Sequence, residues 1–278
     1  MSRSTENSLE DASARFDSEF ARGQALASEA QTDLALQAFD ACIACVEELL
    51  QLEPGNSRFE RWMAISYASR AEVLSDAGQG LQALDSYERA VSLFERIRQR
   101  TGESIAAMSD LVRAQGKVID ILIDLDDPER ARPVGLALEV LLESVARASG
   151  ASDPDFLEIR AAGHSEVGRC FGAWGPKRKA VWHQLRAATL LEEALSHKSG
   201  DAFLELNLGI SWLLCGQNLG PSAARPCFEK SYDLLKSMQQ RLELPPQGEQ
   251  ALEKVRRLLG WKPLYGRGGP PNKVVRLG

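Results

Sequence analysis

Apolar positions recur every three to four residues over stretches of about 20 residues, and short polar or glycine-containing stretches interrupt them at regular intervals. That period belongs to helices that bury one face. Glycines within the interruptions fall at Gly55, Gly102, Gly150, Gly200 and Gly248, spaced by 47, 48, 50 and 48 residues. Each follows a long amphipathic segment, where a left-handed glycine would end a helix. Helix-starting residues come next, at Asn56–Ser57, Ser104, Asp153–Pro154 and Asp201. A second set of marks lies halfway between. Pro128, Pro176 and Pro221 each follow Asp or Gly and suit a first helical turn, whose N–H groups lack partners anyway. Ala30–Asp33 and Gly78–Gly80 hold the equivalent places earlier in the chain. The pattern predicts two helices per period, each about 30 Å long at about 1.5 Å per residue.

A third register runs inside the second helix of every pair. Ala35–Phe39–Cys42, Ala83–Tyr87–Ala90, Ala131–Gly135–Leu138, Ala180–Gln184–Ala187 and Ala224–Phe228–Ser231 share i, i+4, i+7 spacing, and their leading alanines lie 48, 48, 49 and 44 residues apart. Small residues at the ends of such a triplet let a neighbouring helix approach, and a larger one between them fills the hole.

With these marks the chain resembles the tetratricopeptide (TPR) repeat proteins. AISYASRAEVLSDAGQGLQALDSYERAV carries the family pattern at Ala71, Leu74, Gly78, Ala83, Tyr87 and Ala90. HSEVGRCFGAWGPKRKAVWHQLRAA carries it at Gly168, Phe171, Gly175, Ala180 and Ala187, and the first repeat at Gly23, Leu26, Ala35, Phe39 and Cys42. The third repeat departs, with Ile119 and Asp126 at glycine positions and Gly135 at the large one; the fifth has Trp212 at the small position. The period exceeds the usual TPR length and is similar to the extended arrays of bacterial proteins, which accompany signalling ATPases, kinases or caspase-like proteases.

The resemblance covers about residues 15–242 and implies an all-α, right-handed solenoid of about five hairpins, since one hairpin cannot bury both its faces. The expected organisation is a disordered segment 1–8, a solenoid over 9–246 (repeats 9–55, 56–102, 103–150, 151–200 and 201–246), a capping helix over 247–259 and a Gly/Pro-rich tail over 260–278. In the capping helix, Ala251, Leu252, Val255, Leu258 and Leu259 form the apolar face.

Composition narrows the function. The 278 residues are 44% hydrophobic and 26% charged, ordinary for a globular protein, and no apolar run is long enough for a membrane span. The acidic N-terminus lacks the apolar region of a secretory signal, and five scattered cysteines read as reduced thiols, so a cytoplasmic protein is expected. The net charge of −6 conceals an acidic body and a basic end: residues 253–278 carry seven Lys and Arg against one acid, Glu253.

No nucleophile elbow, P-loop, dinucleotide fingerprint or zinc-protease motif is present, so neither an enzyme nor a cofactor is expected. CIAC at 42–45 is a CxxC in letters, but it lies mid-helix, where nothing lowers a thiol pKa, and no second metal-ligand pair accompanies it. The acids around Pro128 suit helix capping.

Three regions remain as candidates for partner binding. The resemblance places the first helices of the hairpins along a groove lined by Phe20, Gln24, Ala68, Glu72, Asp76, Arg113, Asp120, Asp124, Arg169, Leu213 and Gln217. It lacks the paired cations of the family's carboxylate-gripping pocket, so a mixed, locally acidic groove for a peptide or helix is expected. The span 169–186 holds Arg169, Lys177, Arg178, Lys179 and Arg186, no acid, and the rings of Trp174, Trp182 and His183. It suits an acidic protein segment or, as the alternative, nucleic acid. The tail offers Trp261, Tyr265 and Arg267 as a docking motif. These readings converge on an adaptor or scaffold for another protein, with homo-oligomerisation open.

Overall fold

The computed structural model describes residues 3–101, 105–148 and 153–260, and these form eleven helices with no strand. They are α1 (Arg3–Ser28), α2 (Thr32–Leu52), α3 (Ser57–Asp76), α4 (Gly80–Thr101), α5 (Ile105–Asp124), α6 (Pro128–Ala148), α7 (Pro154–Trp174), α8 (Lys177–His197), α9 (Ala202–Asn218), α10 (Pro221–Gln240) and α11 (Pro246–Leu258). Among the described residues the fold is all-helical. Helix α1 begins at Arg3, inside the segment expected to be disordered. Gly102, Gly150 and the tail from Trp261 onward, with Trp261, Tyr265 and Arg267, lie outside the described residues.

The helix ends follow the capping chemistry in the sequence. The Asn56 side chain accepts from the backbone N–H of Arg58 at 2.9 Å, and Asp153 and Asp201 cap α7 and α9 in the same way. Gly55 and Gly200 take φ of 78° and 79°, as helix-ending glycines should. Gly248 departs from that expectation. It lies in the first turn of α11, where an added β-carbon would strike Leu244 and Leu206. Helix α10 ends instead at a left-handed Leu242, and Pro245 and Pro246 set the new start.

The chain forms two compact units, Met1–Val134 and Gly135–Gly278, which divide within α6. In the first unit, α1 packs on α2, α2 on α3, α3 on α4 and α4 on α5. Phe16 stacks on Trp62 with centroids 4.5 Å apart, over a core of Phe39, Cys42, Val46, Leu49 and Phe59. In the second, α7 packs on α8, α8 on α9 and α9 on α10. The last helix covers α10 and α9 with buried Ala251, Leu252 and Val255, while Leu258 is exposed.

The turn inside each of the first three hairpins is one structure. Ala30, Gly78 and Asp126, each 48 residues after the last, have φ of 56°, 74° and 54°. The following N–H reaches five residues back each time: Gln31 to Leu26, Gln79 to Leu74 and Asp127 to Leu122, at 2.8–2.9 Å. The third repeat therefore keeps the turn without the glycine, because aspartate tolerates the left-handed region.

The fifth repeat is corrected more deeply. A β-carbon on Gly23 would fall 2.9 Å from Phe39, and one on Gly168 would fall 2.5 Å from Gln184. The matching contact in the fifth hairpin is made by Gly216 against Phe228, not at Trp212. Position 216 lies 48 residues after 168, so the period of the first helices holds. Helix α9 has 17 residues where α7 has 21, so one helical turn is missing before α10. That omission produces the alanine spacing of 44.

Candidate functional site

In the first unit the carboxylates of α3 and α5 gather around one phenol. Tyr87, on α4, is buried, and its hydroxyl pKa is pushed well above the usual range, first by burial and then by Glu72, Asp76 and Asp120. Glu72 and Asp76 are one turn apart on α3; Asp120 and Asp124 hold the same relation on α5. Glu72, Asp76 and Asp124 are exposed, and none has an ion-pair partner among the described residues. Arg113, also exposed and without an ion-pair partner there, stands two turns before Asp120 on α5. Other charges nearby bind the unit together: Arg70 pairs with Asp40 at 2.7 Å, Arg61 with Asp110 at 2.8 Å and Arg130 with Glu88 at 2.7 Å. Glu72, Asp76 and Asp120 thus surround a buried hydroxyl, with exposed Asp124 one turn further along α5, an acidic cluster suited to a cation or a donor-rich segment.

In the second unit the basic span 169–186 divides in use. Lys179 pairs with Glu139 at 2.6 Å and lies 4.2 Å from the centre of the Phe171 ring. Arg169 pairs with Glu166 at 3.3 Å. Lys177 donates to the carbonyl of Gly172, which explains a cation at the start of α8: it serves the negative end of α7. Lys177, Arg178 and Arg186 are exposed without an ion-pair partner among the described residues, and of these Lys177 is spent on the Gly172 carbonyl. Leu213, expected in the groove, is buried in the core of α9 and α10. Arg169 is half-buried and Gln217 exposed.

Beneath Trp182 lies a buried polar chain that sequence reasoning missed. His164 Nδ1 faces His183 Nδ1 at 3.0 Å, and His183 Nε2 is 3.3 Å from Glu139 Oε1, poorly aligned for a hydrogen bond. Two facing ring nitrogens need one proton and one lone pair. A carboxylate beside His183 Nε2 favours the proton there, so His183 Nδ1 accepts and His164 Nδ1–H donates. Burial, then His183, Arg186 and Arg160, lower the His164 pKa to about 3. His183 is lowered by burial, against Glu139. Trp182 stands edge-on to both rings, with centroids 5.6 Å and 4.8 Å away. The two histidines are 19 residues apart in sequence; His183 stood out only as part of the basic span, and nothing in the sequence pairs it with His164.

The five cysteines are buried and free. Burial, then Cys45 and Glu19, push the Cys42 thiol up to about 12, the reverse of an activated redox pair. Among the described residues no group of three or more His, Cys, Asp and Glu is placed to hold a metal, and no helix is long and apolar enough to cross a membrane.

No protein-family model matches the sequence, and no curated protein does. Solved structures are informative about the fold. The apo form of RapI aligns over 88% of this chain and 83% of its own, with a TM-score of 0.57 and 18% identity. The nearly identical TPR-like repeats of a candidate kinesin light chain from Podosopora anserina align over 81% of this chain and 97% of their own, with a TM-score of 0.54 and 16% identity. The chain is thus an all-helical protein of the TPR-type repeat fold, the class the three sequence registers point to.

Proposed function

We propose that the chain is a protein-interaction scaffold of the adaptor type, and that the α3–α5 strip of the first unit takes a basic segment of its partner. The carrying observation is the set of exposed carboxylates Glu72, Asp76 and Asp124, which have no ion-pair partner among the described residues while Asp40, Glu88 and Asp110 of the same unit are paired across the hairpins. Leaving three like charges unpaired on adjacent helices costs some self-repulsion, which a cationic ligand would relieve. The extended repeat period supports a place in a bacterial signalling or effector system, in the cytoplasm.

The test is affinity purification from native lysate with the wild-type chain and with Glu72→Lys, Asp76→Lys, Asp124→Lys combined. These positions are exposed, so the fold should persist, and circular dichroism checks it. A stoichiometric protein partner lost in the triple variant supports the reading. Recovery of the same partner at equal yield rejects the strip as its binding surface. A partner bound through the strip also weakens steeply with added salt.

A further inference from the structure

Independently of the acidic strip, we infer that the outward face of α6 and α8 in the second unit is the surface on which a second copy of this chain docks. On α6, Leu136 and Val140 are 49% and 65% exposed; on α8, Trp182 and Leu185 are 57% and 41% exposed. The two helices are adjacent, since Glu139 of α6 meets both Lys179 and His183 of α8. This concentrates exposed large apolar side chains on two neighbouring helices. Together they offer on the order of 400 Å² of apolar surface per copy. One side of a standard interface buries about 800 Å², rather more than half of it apolar, so the patch is of the right size once its polar rim is added.

The order of charge along α8 selects the occupant. Arg178, Leu185 and Glu192 follow one another at seven-residue steps, two helical turns each, and therefore share a face. Arg178 and Glu192 are both exposed with no ion-pair partner among the described residues, although Lys179 beside Arg178 is paired. An ordinary partner helix would not require opposite charges equally spaced about a central leucine. A second copy does. With two α8 helices antiparallel across a twofold axis at Leu185, Arg178 of one copy stands opposite Glu192 of the partner subunit, and the pair is repeated on the other side. The two pairs flank the axis at about 10 Å each, with Leu185 between them and Trp182 within the enclosed stretch.

Sedimentation equilibrium on the full chain tests the proposal. The wild type is expected to show a concentration-dependent monomer–dimer equilibrium. Val140→Glu, at the most exposed apolar position of this face, raises the dissociation constant at least about tenfold. Arg178→Glu and Glu192→Arg each place like charges opposite one another and weaken the dimer by about tenfold or more. The double variant Arg178→Glu, Glu192→Arg reverses the pair and restores dimerisation to near the wild-type level. A wild type that stays monomeric at all accessible concentrations overturns the proposal, as does a dimer indifferent to Val140→Glu in a chain of unchanged helicity. A double variant no better than its parts refutes the second-copy register. Should Val140→Glu unfold the chain, the exposed charge pair alone decides.

Discussion

Acid should weaken the second unit through its buried histidines before the carboxylates titrate. His164 is 8% exposed and His183 fully buried, and they face Glu139 and Lys179 on one side and Arg160 and Arg186 on the other. The His164 pKa is about 3 in the fold. In the unfolded chain a histidine titrates near ~6.5. A base whose folded pKa is depressed contributes stability that is complete above the unfolded value and is lost as pH falls from there towards the folded one. The loss is about 1.4 kcal/mol per pH unit below ~6.5, or about 2 kcal/mol by pH 5. His183 is shifted in the same direction, so it adds to the loss. The discriminating variant is His164→Asn, whose amide can still donate to His183 Nδ1 but cannot take a proton. Urea unfolding at pH 7.5 and pH 5, followed by circular dichroism, should show the wild type losing about 2 kcal/mol more than the variant over that interval. Carboxylates titrate alike in both proteins and cancel. Parallel pH dependence in the two would refute the reasoning, because it would mean that protonating the pair costs the fold nothing.

Two substitutions test the backbone and packing arguments. Leu242 is 94% exposed and sits at φ 61°, so its side chain contributes little while its backbone is strained. Leu242→Gly should raise stability by about 0.5–1 kcal/mol, read as a higher melting temperature, and an unchanged or lower one would count against the strain. Gly216→Ala in α9 should destabilise by about 1–3 kcal/mol because its β-carbon meets the rigid Phe228 ring. Helix propensity alone gives that change the opposite sign, so a stabilised variant would remove the corrected register of the fifth hairpin.

The hairpins were legible because each level of the sequence carried the same period. Helix caps at Asn56, Asp153 and Asp201, the leading alanines and the left-handed glycines are local devices, and local devices can be read without knowing what packs on them. The misreadings came where a residue type has two uses. Gly248 ends no helix; it is there because Leu206 and Leu244 leave no room for a side chain. Asp126 looked like a lost glycine but adopts the same turn. Trp212 stands twelve residues before Ala224, where the first, second and fourth hairpins carry their small residue, only because α9 is one turn short. Counted along the first helices, position 216 was already a glycine.

The candidate surfaces were legible to a different degree, and for a physical reason. A linear run of charge says nothing about where each charge is spent. Residues 169–186 read as one basic patch, yet Lys179, Arg169 and Lys177 are occupied by Glu139, Glu166 and the end of α7. Two of those acceptors lie within five residues and were open to sequence reasoning; Glu139, 40 residues away, was not. The carboxylates proposed as the acidic strip repeat at one turn on each of two first helices, and the exposed Glu72, Asp76 and Asp124 are not spent on an ion pair among the described residues. Charges that survive the accounting are the informative ones. Arg178 and Glu192 survive it on α8, as Glu72, Asp76 and Asp124 do on α3 and α5, and each set stands where the helical repeat itself gives it no internal partner. A repeat fold supplies ion pairs between successive hairpins at nearly constant spacing, as in Arg130 to Glu88 and Lys179 to Glu139. Departure from that ladder, more than charge itself, is the ground on which both surfaces are proposed as sites for another molecule.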